Sequence, residues 1–434
     1  MSRKHKVGLL DVAATGSPAV VIVKPVRSDS AEDAPSILNR MAARGPRYRV
    51  GLVPSPTSRR WDFCHEPGSW CTESFDISGQ HSMQELLDHV VGQPLVEPIS
   101  VSQSGEYLCV ACDHGVGDAT VVTDVCGALM GGFPETGLAE PLTAPTMTNP
   151  LLATLFGAAK ATPRLFVKDT IALLKPAWSF FRSYVATLIN RPPVVPSMPT
   201  GDDDEKYVAV WSKSDPKFIE AVRRYRDSEH PNASVKAILI MAICRALQDC
   251  GVLLNDELEV VVDMRRFLPI GKSTLANFFA IGRVNIGTQP SVDEFAAALR
   301  LMVGSLNPLF RLAAYLTVTQ VKMLFGRRTR KTERPVRGPA KSDQSTLTIS
   351  DHSNSPSFAK LPWVCTDDIE VASAVPPTGR SHISISMCTP PDGSVQLTAT
   401  FYASHVDKLL VAQGLSRALS SMALNQQPET TSRP

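Results

Sequence analysis

The sequence predicts a two-lobed α+β protein, and three observations carry that reading. The 434 residues are 43% hydrophobic and 20% charged, enough for a large core and more than one core usually spans. Segments with strand alternation are interspersed with segments of helical apolar spacing in both halves, the pattern of mixed sheets covered by helices. A proline-rich stretch followed by an acidic run separates the halves. The expected division is an N-terminal lobe over 1–133, a connector over 134–206 and a C-terminal lobe over 207–434.

In the first lobe, Ser82 and Glu85 form a capping-box pattern ahead of Leu86, Leu87, Val90 and Val91, and Gly92 can end that helix. Tyr107, Cys109 and Ala111 alternate with Leu108, Val110 and Cys112, which predicts a strand. Val121, Val122, Val125, Leu129 and Met130 then recur at helical spacing. The connector carries Pro134, Pro141, Pro145 and Pro150, an apolar stretch over 151–189, then Pro192, Pro193, Pro196, Pro199 and the acidic run Asp202 to Glu205. Lys160, Arg164, Lys168, Asp169, Lys175 and Arg182 interrupt the apolar stretch, so it cannot be an ordinary spanning helix of about 20 apolar residues. Helices packed on the lobes are expected there, in preference to a face lying on a membrane surface.

The second lobe opens with a strand at Tyr207 to Trp211. A helix capped by Ser234 follows, with Ile238, Met241, Ala242 and Leu247 on one face and Gly251 at its end. Glu257 to Met264 is the next strand, expected to carry Asp263 and Arg265 with Arg266 facing the other side. Ser291 and Glu294 make a second capping box before a helix through Leu299 and Met302. Ser381 to Met387 alternates strictly, Pro391-Asp392-Gly393 is a turn, and Val395 to Phe401 returns as the second arm of a hairpin. A last helix is expected from about His405 to Leu424.

Composition removes several function classes. A net charge of +2 leaves no electrostatic footprint for nucleic acid, and no zinc-finger or RNA-binding spacing is present. The nine cysteines are scattered and the first residues lack the apolar core of a signal peptide, so a cytoplasmic protein with reduced thiols is expected. Cys109 and Cys112 read as C-x-x-C, yet residues three apart on a strand face opposite ways and no second pair follows, so no metal site is expected.

The most informative segment is Cys112-Asp113-His114-Gly115-Val116-Gly117-Asp118-Ala119. It puts a histidine four residues before an aspartate, on a glycine-bent turn between a strand and a helix. Imidazole titrates near neutral pH, so a histidine that reaches a cleft from such a turn can act as a general base.

This spacing resembles the HxxxD signature of the chloramphenicol acetyltransferase superfamily, whose members include condensation domains of nonribosomal peptide synthesis and polyketide-associated acyltransferases. Two further stretches agree in order and spacing. Asp263-Met264-Arg265-Arg266-Phe267-Leu268-Pro269 is similar to the D-[LM]-R-R-[YF]-L-P segment of the condensation and polyketide-associated branch, and Ala276-Asn277-Phe278-Phe279 to the G-N-F-F that follows it. Thr348-Ile349-Ser350-Asp351-His352-Ser353 echoes the S-[ND]-x-G loop of relatives. Relatives often read HHxxxDG, where this chain has Asp113 and Ala119 at the outer positions; Asp113 either raises the proton affinity of His114 or points away. The plant branch's DFGWG is absent.

The resemblance implies two similar lobes meeting at a central channel, with His114 as the base that deprotonates an alcohol or amine attacking an acyl thioester. It implies that Asp118 organises the site by pairing with an arginine of the second lobe, expected to be Arg265, and that Asn277 and Ser350 serve substrate or oxyanion. It further implies acyl transfer from acyl-coenzyme A or an acyl carrier protein to a hydroxyl or amine acceptor, as in lipid or natural-product biosynthesis, without a bound cofactor or metal and as a monomer. Joining of carrier-bound aminoacyl groups, or carrier and partner binding without catalysis, are the alternatives. The basic run from Gly326 to Arg337 either grips a coenzyme A phosphate or a carrier's acidic face, or is a solvated loop.

Overall fold

The computed structural model describes residues 4–27, 33–72, 82–131, 146–148, 150–161, 163–164, 166–169, 206–287, 291–325, 344–353 and 361–420. The basic run from Gly326 to Arg337 and most of the connector lie outside these residues. In chain order the strands are β1 (His5–Lys6), β2 (Pro18–Lys24), β3 (Leu52–Val53), β4 (Arg60–Phe63), β5 (Ile99–Ser104), β6 (Tyr107–Asp113), β7 (Tyr207–Lys213), β8 (Glu257–Asp263), β9 (Phe279–Asn285), β10 (Thr346–Asp351), β11 (Glu370–Ala374), β12 (His382–Cys388) and β13 (Gln396–Tyr402). They form a small sheet in the order β1-β4-β3, a four-stranded sheet β11-β2-β6-β5, and a six-stranded sheet β7-β13-β12-β10-β8-β9.

In the four-stranded sheet β6 is buried on both faces, which explains its unbroken apolar composition. Leu108, Val110 and Cys112 enter one core with the helix Ala119–Gly131, while Tyr107, Cys109 and Ala111 enter another beneath the helix Met83–Val90. The two cysteines of C-x-x-C therefore belong to different cores. Ser82 caps the helix Met83–Val90 as a full capping box with Glu85, and Ser291 does the same with Glu294 for Val292–Gly304.

The six-stranded sheet has two chemically different faces. Leu258, Val260, Leu347, Ile349, Ile383, Ile385 and Leu397 pack against the helices Val235–Asp249, Val292–Gly304 and Lys408–Ala418. The alternate residues are polar: Glu259 on β8, Thr348 and Ser350 on β10, Ser384 and Ser386 on β12, and Thr398 and Thr400 on β13. The strict alternation of His382–Cys388 is the sequence trace of this division.

Part of the polar face stitches the halves together. β11 lies late in the chain but pairs antiparallel with β2 of the first sheet, from Glu370 opposite Lys24 to Ala374 opposite Val20. Gln396 reaches it from β13, its Oε1 accepting from the Val371 N–H at 2.7 Å and its Nε2 donating to the Ile369 carbonyl at 2.7 Å. Thr398 accepts from the Ser373 N–H at 3.2 Å, and Thr400 donates to the Val375 carbonyl at 2.6 Å. Asp368 adds ion pairs to Lys24 at 3.0 Å and Lys213 at 3.1 Å.

Two expectations change in detail. Arg265 is not on a strand: β8 ends at Asp263 and Met264–Phe267 form one 3-10 turn, started by the Asp263 carboxylate accepting from the Arg265 N–H. The last described helix is Lys408–Ala418, capped by Asp407 and closed at Leu419, so it starts after His405 and stops short of the expected end at Leu424. Of the apolar connector, Leu151–Ala161 is a helix whose Leu151, Leu155 and Ala158 pack with Met264 and Leu309, whereas Leu152 and Phe156 are exposed. Among the described residues no helix is long and apolar enough to cross a membrane.

Replacing Gln396 with Ala leaves the buried Val371 N–H and Ile369 carbonyl without partners. Such groups cost about 1–3 kcal/mol each, so urea unfolding should show a loss of about 2–4 kcal/mol; a loss under about 0.5 kcal/mol would contradict this account of the seam.

Candidate active site

β6 delivers the chain to His114 and the helix Ala119–Gly131 takes it away. The intervening turn is tight. A Cβ on Gly115 would lie 2.6 Å from the Thr15 hydroxyl and 2.8 Å from Asp113 Oδ1, and one on Gly117 only 2.3 Å from the Val121 side chain. Both glycines are needed for close approach. Asp113 belongs to the same turn, since its carboxylate accepts from the Gly16 N–H at 2.7 Å and the Gly115 N–H at 2.7 Å. It is a loop staple and points at backbone.

His114 is held at both backbone groups. Its N–H donates to the Ser17 carbonyl at 2.7 Å, and its carbonyl accepts from Asn277 Nδ2 at 2.7 Å. The ring packs against Phe279, with centroids 5.8 Å apart. Nδ1 is enclosed with no hydrogen-bond partner among the described residues, which leaves Nε2 as the nitrogen a substrate can meet.

Behind the turn lies a buried network that sequence reasoning missed. Asp11 and Arg49 are 0% and 1% exposed. Arg49 meets Asp11 in a two-pronged pair, at 2.9 Å to Oδ1 and 3.2 Å to Oδ2, and its guanidinium also donates to the carbonyls of Gly115 at 2.8 Å and Val116 at 2.6 Å. Asp11 additionally accepts from Gly8 N at 2.8 Å, Asn277 N at 2.9 Å and Asn277 Nδ2 at 3.2 Å. Both amide hydrogens of Asn277 are thus engaged by Asp11 and the His114 carbonyl, so Asn277 positions the turn and has no hydrogen left for a substrate oxygen. Arg49 has φ 75°, a left-handed conformation that costs a non-glycine residue about 1–3 kcal/mol and here aims the guanidinium at the turn.

Asp118 lies at the start of the helix, where Oδ1 accepts from the Thr120 N–H at 3.1 Å. Oδ2 pairs with Arg265 at 2.7 Å across the halves. Arg265 also donates to the carbonyls of Thr274 at 2.9 Å and Ala276 at 3.0 Å, so it ties the helix to the segment that leads to Asn277. Arg266 points elsewhere and donates to the Val303 carbonyl. Burial alone would push the Asp118 carboxyl up, but the adjacent Arg265 guanidinium outweighs it and holds the group below the ordinary carboxylate value.

Ser350 stands near the end of β10, and its hydroxyl lies 3.2 Å from His352 Nε2. His352 extends the ladder through its N–H, which donates to the Met387 carbonyl at 2.8 Å. Burial pushes its pKa down, and the pulls of Asp351 and Asp118 do not restore it.

No protein-family model matches the sequence, and no curated protein is detectably similar to it. Solved structures do match. At 10% identity the chain superposes on a trichothecene 15-O-acetyltransferase from Fusarium sporotrichioides with a TM-score of 0.59, covering 98% of this chain and 96% of that one. The chain has the chloramphenicol acetyltransferase-like condensation fold. Polyketide synthase associated protein 5 from Mycobacterium tuberculosis matches over 96% of both chains at 12% identity and a TM-score of 0.52. The EpoB cyclization-docking bidomain from Sorangium cellulosum matches over 95% of this chain and 81% of its own at 11% identity, with a TM-score of 0.53.

Because the folded pKa of Asp118 is depressed, the pair with Arg265 stabilises fully above the unfolded value of about 3.9 and is lost as pH falls through the lower folded value. Asp118→Asn should lower stability at pH 7 by about 1–3 kcal/mol, since Arg265 is left with its 3.4 Å contact to the exposed Asp263 carboxylate. The gap to the parent should narrow below about pH 4. Urea titrations from pH 7 to 3 check both; a gap that widens in acid contradicts the assignment.

Proposed function

We propose that the protein is an acyltransferase that moves an acyl group from a thioester, carried by coenzyme A or an acyl carrier protein, to a hydroxyl or amine, with His114 as general base. The observation that carries this reading is the mounting of His114. Its backbone is fixed on both sides and Nδ1 is enclosed, which supports Nε2 as the nitrogen that serves the reactant. Asp118 is engaged by Arg265, so the base works as a single imidazole without an orienting carboxylate.

In this reading Nε2 takes the proton of the acceptor while its oxygen or nitrogen attacks the thioester carbonyl. The tetrahedral adduct then collapses, the C–S bond breaks, and the imidazolium returns the proton to the departing thiolate. A base of this kind contributes about 10²- to 10⁴-fold; holding two substrates together and stabilising the oxyanion supply the rest. Ser350 is assigned the oxyanion donor. The likeness to an acetyltransferase and to a polyketide-associated protein supports a transferase in natural-product or lipid biosynthesis, and the likeness to a bidomain of carrier-dependent assembly supports a carrier protein as donor in trans. A cytoplasmic monomer is part of the same proposal.

The test is product formation from a panel of acyl-coenzyme A and acyl-carrier donors with pooled alcohols and amines, followed by mass spectrometry for the parent and for His114→Ala. The variant should fold, because the bonds of His114 within the turn are made by its backbone, and should lose about 10²-fold or more of the rate. Equal background from both proteins with both donor types would overturn the proposal and leave binding of a carrier or partner as the function.

A further inference from the structure

Ser350 and His352 are two residues apart and share the polar face of the six-stranded sheet. Thr348 and Ile349 lie opposite Glu259 and Val260 in the parallel ladder between β10 and β8, and His352 follows the last residue of β10. Asp263 in turn lies opposite Phe279 across β8 and β9, and Phe279 packs on the His114 ring. The end of β8 and the start of β9 therefore lie beside the proposed base. The charges of both Asp118 and His114 are felt at the His352 ring, which sets it in their neighbourhood.

The Ser350 hydroxyl has one hydrogen, and the bond to His352 can use it in either of two ways. If Ser350 donates to a bare Nε2, no hydrogen remains for a substrate oxygen. If Nε2 carries the hydrogen and donates to Ser350 Oγ, the Ser350 hydrogen is released to point elsewhere.

We propose that His352 is a positioning residue: it donates its Nε2 hydrogen to Ser350 Oγ and so turns the Ser350 hydroxyl hydrogen toward the carbonyl oxygen of the acyl group beside His114. This rests on the oxyanion role given to Ser350 above. A neutral ring is required, and its surroundings provide one. Asp351 is paired with Lys236 at 3.1 Å and accepts from the Ser353 N–H at 2.9 Å, and Asp118 is paired with Arg265, so the pull of the two acids on a His352 proton falls short of the opposing effect of its burial. When His114 gains the acceptor's proton its charge further disfavours a second imidazolium next to it. His352 thus stays a hydrogen-bond donor through the reaction and does not compete for the proton in transit.

The tautomer can be read without substrate, by nitrogen-15 NMR of histidine-labelled full-length protein with His352→Gln to assign the signal. At pH 7 the expected state is neutral with the hydrogen on Nε2; a hydrogen on Nδ1, or an imidazolium, overturns the proposal. Kinetics with acetyl-coenzyme A and the acceptor panel, read as thiol release, supplies the second arm. His352→Ala should lower kcat about tenfold, a part of what a whole oxyanion donor is worth, with KM little changed, and His352→Gln should recover most of it because its amide can donate. Once Ser350→Ala is in place, adding His352→Ala should lower the rate no further, because the two residues act through one hydrogen bond. A parent-like rate for Ser350→Ala defeats the oxyanion role of Ser350 itself, whereas a slow Ser350→Ala beside a parent-like His352→Ala defeats the role of His352 alone.

Discussion

The carboxylate of Asp11 is the point on which the site depends. A buried charge is tolerated only when it is paired and its lone pairs are satisfied, and Asp11 meets both conditions by gathering groups that are far apart in sequence. Arg49 supplies the opposite charge, Gly8 and Asn277 supply three N–H donors, and the pair is shielded from water. Each partner then fixes something else. Arg49 holds the carbonyls of Gly115 and Val116, and Asn277 holds the carbonyl of His114. The histidine is thus presented by a turn whose carbonyls on three consecutive residues are clamped from behind, two from the first half of the chain and one from the second.

The Asp118–Arg265 pair is a second tie across the same seam, and the two are joined through the backbone. Arg265 grips the carbonyls of Thr274 and Ala276, immediately before Asn277. The helix start, the turn and the segment leading to β9 are consequently one mechanical unit. The six-stranded sheet completes the arrangement by offering an apolar face to its helices and a hydroxyl-bearing face to the seam. On that face, Gln396, Thr398 and Thr400 hold the backbone of β11, while Ser350 meets His352 at the end of β10.

Local signals were legible because local physics sets them. The two capping boxes, the doubly apolar β6, the alternating His382–Cys388 and the strand-to-helix turn around His114 all follow from spacing within a few residues. Strand alternation favours Arg265 over Arg266 as the partner of Asp118, yet the structure achieves that pairing on a 3-10 turn capped by Asp263. Asp11 and Arg49 were not legible. An acid inside the short helix Leu9–Ala14 and an arginine after a 3-10 turn carry no periodicity, and the partners of Asp11 lie 38 and 266 residues away. His352 was in view only as part of a loop echo, since the place of its ring against Ser350 and of its N–H on Met387 depends on the pairing of β10 with β12.

The claim that the clamp behind the turn holds His114 in place is most directly tested by hydrogen exchange in Asn277→Ala, which keeps the Asp11–Arg49 pair but frees the His114 carbonyl. Removing such a bond costs about 1–3 kcal/mol of local stability, so the amides of His114, Gly115 and Val116 should exchange about tenfold faster or more, while those of the helix Val235–Asp249 keep the parent rate. Unchanged exchange across the turn would contradict the account, because the turn would then hold its shape without the contact from the second half of the chain.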